Sequence, residues 1–246
     1  MTTLLEHYLT LVARTLVGTI YDDPPLPAMG QTRFDPRARE LGWDWPSVAF
    51  TMVGAHRLAN VRHLLESVIR DGVPGDFVET GVWRGGASIM ARAVLFAHGV
   101  TDRRVILCDS FEGLPPPDPE RYPADAGATF HLHAALAVSE ETVRHNFSRF
   151  DLLDDQVVFL KGWFKDTMPR VPSETIAVLR LDGDLYESTI DPLNALYDRI
   201  PRGGYVIVDD YHAVPTSKEA VHDFLSARGE APAMVMIEGG GAYFRK

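Results

Sequence analysis

The stretch RLDGDLYEST, Arg180 to Thr189, sets two carboxylates, Asp182 and Asp184, around a glycine directly after the apolar run IAVLRL. A second apolar run, GGYVIVDD, ends in Asp209 and Asp210. If the two runs are neighbouring strands, three carboxylates meet in a small volume, where like charges raise one another's pKa unless a cation is present. An all-oxygen set of that kind suits Mg²⁺, so Asp182, Asp209 and Asp210 are the candidate metal ligands. The alternative is that these acids cap the helices that follow their strands. Asp184, two residues beyond Asp182, is placed to take a proton from a substrate hydroxyl; the competing role is to cap a helix starting near Glu187.

Two further features stand beside the aspartates. In ETGVWRGGAS, Gly81, Gly85 and Gly86 permit a tight turn and a close approach of backbone to a ligand. The pattern is not GxGxxG, and Trp83 and Arg84 stand where a pyrophosphate would need open backbone, so a nucleoside without one fits better. In CDSFEG, Asp109 ends an apolar run, where a carboxylate accepts both hydroxyls of a ribose. Together they indicate an adenosine-bearing ligand, with NAD and S-adenosylmethionine both open at this step. A sulfonium methyl donor paired with a carboxylate-held cation favours an alcohol acceptor, because a cation makes an alcohol more acidic and a neutral amine needs no such help.

These residues must be positioned by regular elements. Leu4, Leu5, Tyr8, Leu11, Val12 and Leu16 recur at helical spacing, predicting a first helix that ends near Gly18. The stretch PPLPAMGQTRFDPRARELGWDWP reads as an irregular connection of the kind that covers sites. Ser47 is placed to cap a second helix through MVGAHRLANVRHLLESVIRDG, stopped by Gly72 and Pro74. From Asp76 onward, DFVET, RVILCD, QVVFLKG, IAVLRLD and GGYVIVDD alternate with helical segments, and AMVMIEG and GAYFRK close the pattern as a hairpin around Gly239 to Gly241. The expected fold is α/β: a doubly wound, mostly parallel seven-stranded sheet with an N-terminal helical extension. The expected division is residues 1–72 as a helical lid extension and 73–246 as the main domain. Ligands bind beyond the carboxyl ends of such strands, and four of the five apolar runs end in acids, Glu79, Asp109, Asp182 and Asp209–Asp210.

A formal net charge of -10 over 246 residues argues against a nucleic-acid partner. The lone Cys108 sits in an apolar run and reads as a buried structural thiol. The N-terminus lacks the pattern of a signal peptide, and no apolar run approaches the ~18 residues of a membrane span. No membrane association and a cytoplasmic location are expected.

The segments GDFVETGVWRGGAS, CDSFEGLP, FSRFDLLDDQVVFLKGWFKDTMP, LRLDGDLYEST and GGYVIVDDYH, in this order, resemble the macrocin O-methyltransferase family, which methylates sugar hydroxyls on glycosylated antibiotics. The similarity runs from about Val73 to the C-terminus. It implies a class I methyltransferase fold, S-adenosylmethionine as methyl donor, Mg²⁺, a glycoside acceptor of macrolide or aminocoumarin type, and a homodimer. By this resemblance Asp182, Asp209 and Asp210 are metal ligands and Asp184 is the general base. Glu79, Thr80, Gly81, Trp83 and Ser88 match the cofactor loop, Asp109 the ribose acceptor with Ser110 beside it, and Gly162 and Trp163 the adenine site. The 22–46 and 114–139 segments match least, which leaves the acceptor molecule and the hydroxyl unassigned.

Other readings compete. His212 is an alternative base to Asp184, His131 and His133 have the spacing of a metal pair but lie in a proline-rich loop, and Trp43 and Trp45 could stack on a sugar or macrocycle face. At the level of function, the alternatives are a non-catalytic nucleoside- or cation-binding protein of the same fold and, from Asp182-Gly183-Asp184, an aspartate-dependent phosphotransferase.

Overall fold

The computed structural model describes residues 3–246. In chain order its elements are α1 (Leu4–Leu16), α2 (Pro36–Leu41), α3 (Gly54–Arg70), β1 (Asp76–Thr80), α4 (Gly86–Ala97), β2 (Val105–Asp109), α5 (Glu140–Ser148), β3 (Val157–Lys161), α6 (Phe164–Thr167), β4 (Ile176–Leu181), α7 (Tyr186–Leu196), β5 (Tyr205–Val208), α8 (Pro215–Ala227), β6 (Val235–Met236) and β7 (Ala242–Arg245). The five apolar runs become five parallel strands, and the sheet order is β3-β2-β1-β4-β5-β7-β6. The C-terminal hairpin adds β7 antiparallel to β5 and β6 antiparallel to β7.

Every residue of β1, β4 and β5 is buried, as expected of strands covered on both faces. Alternation still sorts them: Phe77, Leu107 and Val178 join one apolar cluster with α1, α3, α4 and α5, while Val78, Ile106 and Leu179 join the other with α7 and α8. The helices of residues 1–72 thus share a core with the sheet, Leu9, Leu16, Leu58 and Leu65 packing in the same cluster as Phe77 and Ile89. Cys108 is fully buried on the second face, and its thiol is pushed up by burial and then by Asp109 and Glu79. The strand order reverses between β1 and β4, whose neighbours lie on opposite sides, and this is the switch point at which doubly wound sheets bind ligands.

Two expectations about the N-terminal third need correction. Ser47 does not cap the second long helix; that helix starts at Gly54 with no side-chain cap, and the Ser47 hydroxyl donates to Asp23 Oδ1 at 2.6 Å. The stretch read as irregular contains α2, entered through Asp35, whose Oδ1 accepts from Arg37 and Ala38 N–H, and left through Gly42 at φ 69°. Six residues are too few to show an apolar period. What fixes the segment is polar: the fully buried Arg39 makes a two-pronged pair with Asp44, 2.8 Å on each side, and donates to the Val17 and Asp23 carbonyls. Asp23 in turn accepts the Val48 and Ala49 amides.

Candidate active site

The parallel register brings the ends of β1, β4 and β5 level, with Thr80 beside Leu181 and Leu181 beside Val208. The residue after each strand therefore emerges on one edge. Asp182, Asp209 and Asp210 meet there, with one carboxylate oxygen of each within 4.8 Å of the others. Among the described residues this is the group of three or more possible metal-ligating side chains that the fold assembles, and it includes neither His131 nor His133.

The site is neutralised in part by two arginines that the sequence reading did not single out. Arg180, 1% exposed inside β4, donates through Nη1 to Glu79 Oε1 at 2.5 Å and Asp182 Oδ2 at 2.7 Å, and through Nη2 to Asp209 Oδ1 at 2.5 Å. Arg57, from α3, donates to Asp209 Oδ2 and lies 3.8 Å from Asp210 Oδ1. Five carboxylates, counting Glu79 and Asp184, thus face two guanidiniums. The unbalanced charge shows in the titration of the group. Burial pushes the Asp184 carboxyl up to about 7, with the charges of Asp182 and Asp209 adding and Arg57 opposing. Asp210 is raised as well, by burial and then by Asp184, Asp182 and Asp209, and its Oδ2 is buried with no hydrogen-bond partner. An oxygen-only donor set with surplus negative charge and an orphaned carboxylate oxygen fits a hard divalent cation.

Asp184 does not cap the following helix. α7 begins at Tyr186, and its first amides, Tyr186 and Glu187, are accepted by Asp125 at 2.7 and 3.0 Å. Asp184 lines the cavity, and its backbone lies in the left-handed region at φ 62°. His212 also lines it but is exposed, with Nε2 2.9 Å from Met236 Sδ.

On the β1 side, the glycines serve packing. A Cβ on Gly81, at φ 89°, would lie 1.7 Å from the Asp182 carbonyl oxygen, so the loop glycine is required by the neighbouring aspartate's backbone. Gly85 leaves room for Val143, and Gly86 for the Phe50 carbonyl that accepts its own N–H. Of the residues expected in the cofactor loop, Gly81 and Trp83 line the cavity, and Arg84 stacks on the Trp83 ring at 4.1 Å. Glu79 lines it too, but both its oxygens are committed inward, to Arg180 and the Ser88 hydroxyl; burial holds its carboxyl at about 7 against the pull of Arg180 and Ser88. Thr80 and Ser88 are fully buried behind the wall, Thr80 donating to the Arg180 carbonyl at 3.4 Å. Asp109 lines the cavity and accepts the Val82 and Phe111 amides at 2.7 Å each, so it ties the β1 and β2 loops together. Its carboxyl is raised by burial, against those two bonds. Ser110 closes its own turn, donating to the Gly113 carbonyl and accepting the Glu112 amide. Gly162 and Trp163 line the far end, beyond β3.

The cavity, about 890 Å³, is roofed by the two segments the motifs left open: Trp43 and Trp45 from 22–46, and Leu114, Pro115, Phe130 and Leu136 from 114–139. They meet where Trp45 packs edge-on against His133 at 5.8 Å, and the 114–139 segment is tied to the loop after β1 where Trp83 Nε1 donates to the Ala135 carbonyl at 2.8 Å.

A family model described as Macrocin-O-methyltransferase matches residues 7–246. The chain belongs to the macrocin O-methyltransferase family. It is a methyltransferase of the class I fold that takes its methyl group from S-adenosylmethionine and delivers it to oxygen. This methyltransferase is 51% identical to the 8-demethyl-8-(2,3-dimethoxy-alpha-L-rhamnosyl)-tetracenomycin-C 4'-O-methyltransferase of Streptomyces olivaceus, over 98% of this chain and 92% of that one. It is 48% identical to the Mycinamicin III 3''-O-methyltransferase of Micromonospora griseorubida, over 98% and 97%. The solved structure of the O-methyltransferase NovP superposes with a TM-score of 0.95 at 48% identity, covering 98% of this chain and 99% of that one. Family membership sets aside the phosphotransferase and non-catalytic readings. Among the described residues, no helix is long and apolar enough to cross a membrane.

Proposed function

We propose that this enzyme methylates a sugar hydroxyl of a glycosylated natural product, with Mg²⁺ held by Asp182, Asp209 and Asp210 and with Asp184 as the general base. The observation that carries the reading is the meeting of Asp182, Asp209 and Asp210 on one cavity edge that Asp184 also lines, with Arg57 and Arg180 paired to Asp182 and Asp209. When bound, Mg²⁺ would lower the pKa of an alcohol beside it.

The chain's own residues supply the rest. Asp184, raised by burial toward neutrality, takes the hydroxyl proton as the oxygen attacks the sulfonium methyl; the carbon–sulfur bond breaks and S-adenosylhomocysteine leaves. Gly81, Trp83, Asp109, Gly162 and Trp163 line the donor side of the cavity. Asp109 keeps lone pairs free beside its two backbone bonds for ribose hydroxyls. Glu79, with Thr80 and Ser88 behind it, braces Arg180 and reaches the donor through the shape of the loop. The acceptor side is lined in part by apolar and aromatic side chains, suited to the aglycone of a glycoside, and one relative carries a rhamnosyl substrate in its name.

The test is methyl transfer from labelled S-adenosylmethionine to the two acceptors that the relatives' names give, 8-demethyl-8-(2,3-dimethoxy-alpha-L-rhamnosyl)-tetracenomycin C and mycinamicin III, with the product's methyl group located by mass spectrometry. A methyl group on a sugar oxygen supports the reading. Methylation of a nitrogen or of an aglycone oxygen rejects it.

A further inference from the structure

Asp125 stands about sixty residues before the aspartates, yet it is 1% exposed and caps the helix that follows Asp184. The first amides of a helix have no partner inside it. Leu185, in the capping position of α7, has an apolar side chain and makes no such bond, so the cap comes from the 114–139 segment. A second anchor lies one turn on: the Tyr122 hydroxyl donates to Asp191 Oδ1 at 2.9 Å, and its ring lies 5.9 Å from that of Tyr186.

The backbone being fixed is a strained one. Asp184 is held at φ 62°, a conformation that persists in a non-glycine residue only when its surroundings enforce it. Its carbonyl accepts from Thr216 Oγ1 at 3.3 Å, and two residues on, the chain is clamped by Asp125. The segment carrying Asp125 also places Arg121, Phe130 and Leu136 in the cavity wall. One carboxylate therefore joins the roof over the acceptor to the turn that carries the base.

We propose that Asp125 is a positioning residue with two effects: it fixes the Asp184 turn, and it holds the 114–139 segment closed over the acceptor. Tyr122 does only the second. The inference rests on Asp184 being the base, so the experiment includes a measurement that needs no turnover. Asp125→Ala, Asp125→Asn and Tyr122→Phe are compared for acceptor KM and kcat, for S-adenosylhomocysteine affinity by calorimetry, and for tryptic cleavage after the exposed Arg121.

For Asp125→Ala the expected result is an acceptor KM raised about tenfold, a kcat lowered about tenfold, and faster cleavage at Arg121, with unchanged S-adenosylhomocysteine affinity. Tyr122→Phe raises KM and speeds cleavage but leaves kcat alone. Asp125→Asn, which keeps one acceptor oxygen, falls between wild type and Asp125→Ala. The proposal is overturned by a folded Asp125→Ala with wild-type kinetics and cleavage, by equal kcat losses in Asp125→Ala and Tyr122→Phe, or by a loss of S-adenosylhomocysteine binding in step with the acceptor. Should Asp125→Ala fail to fold, Asp125→Asn against Tyr122→Phe decides the same question. Failure of wild type to methylate any glycoside would reject the assigned acceptor, whereas unaltered cleavage in the variants would reject the role of Asp125.

Discussion

Arg180 Nη2 lies 2.5 Å from Asp209 Oδ1, and Arg57 holds the other oxygen of the same carboxylate, so Asp209 is clamped between two buried cations. Each arginine comes from a different layer, one from a central strand and one from a helix packed over it. The clamp holds the Asp209 carboxylate from both sides.

Removing one partner from such a network leaves the others charged and buried, at a cost of about 3–5 kcal/mol. Arg180→Met strands Glu79, Asp182 and Asp209 together. Urea unfolding followed by circular dichroism should show a loss of that size; an unchanged midpoint would mean that the three carboxylates are neutral or solvated.

Gly81→Ala probes the contact between the loop after β1 and the aspartate edge. Its φ of 89° and a Cβ 1.7 Å from the Asp182 carbonyl force the two backbones apart. The strained conformation alone costs about 1–3 kcal/mol. Thermal unfolding should register that loss, and the response of the melting temperature to Mg²⁺ should shrink with it, since Asp182 moves.

The strand-and-helix alternation, the terminal hairpin and the aspartate edge were all legible, because strands buried on both faces read as β-branched apolar runs and the acids stand directly at their ends. Arg180 was not, although it lies within the motif: a charged residue in an otherwise apolar strand is a signal of a buried ion-pair partner. Arg57 was hidden because the pairing partner is 152 residues away, and only the packing of α3 over the sheet brings them together. Asp125 was hidden for a similar reason, capping a helix whose own sequence lacks a cap. Asp184 fitted either base or cap from spacing alone; the structure removes the cap reading, because Asp125 already fills that position.

The stability of the metal-free protein should fall as pH rises from about 4 toward neutrality. Asp184 titrates near 7 when folded but near 3.8 when unfolded, and Asp209 and Asp210 are raised as well. In that window the folded state binds more protons than the unfolded one, so each step upward in pH favours unfolding. A divalent cation offsets the exposed repulsion only once the carboxylates are ionised. Differential scanning fluorimetry with and without Mg²⁺ should therefore give a larger upward shift of the melting temperature at pH 8 than at pH 5; equal shifts at both would separate cation binding from this cluster.

Asp184→Asn keeps size and removes the proposed base. A drop in kcat of about 10²–10⁴-fold is expected, with S-adenosylhomocysteine affinity retained. His212→Ala is the companion variant: near-normal turnover there, with loss in Asp184→Asn, assigns the proton to the aspartate, and the reverse pattern assigns it to the histidine.

The dependence of turnover on a divalent cation is the most direct measure of the account. Protein freed of metal by a chelator and assayed with labelled S-adenosylmethionine and a glycoside acceptor should lose nearly all transfer, regain it on titration with Mg²⁺, and fail to regain it in Asp182→Asn. Full activity in excess chelator, for wild type and Asp182→Asn alike, would contradict a cation-holding role for Asp182, Asp209 and Asp210.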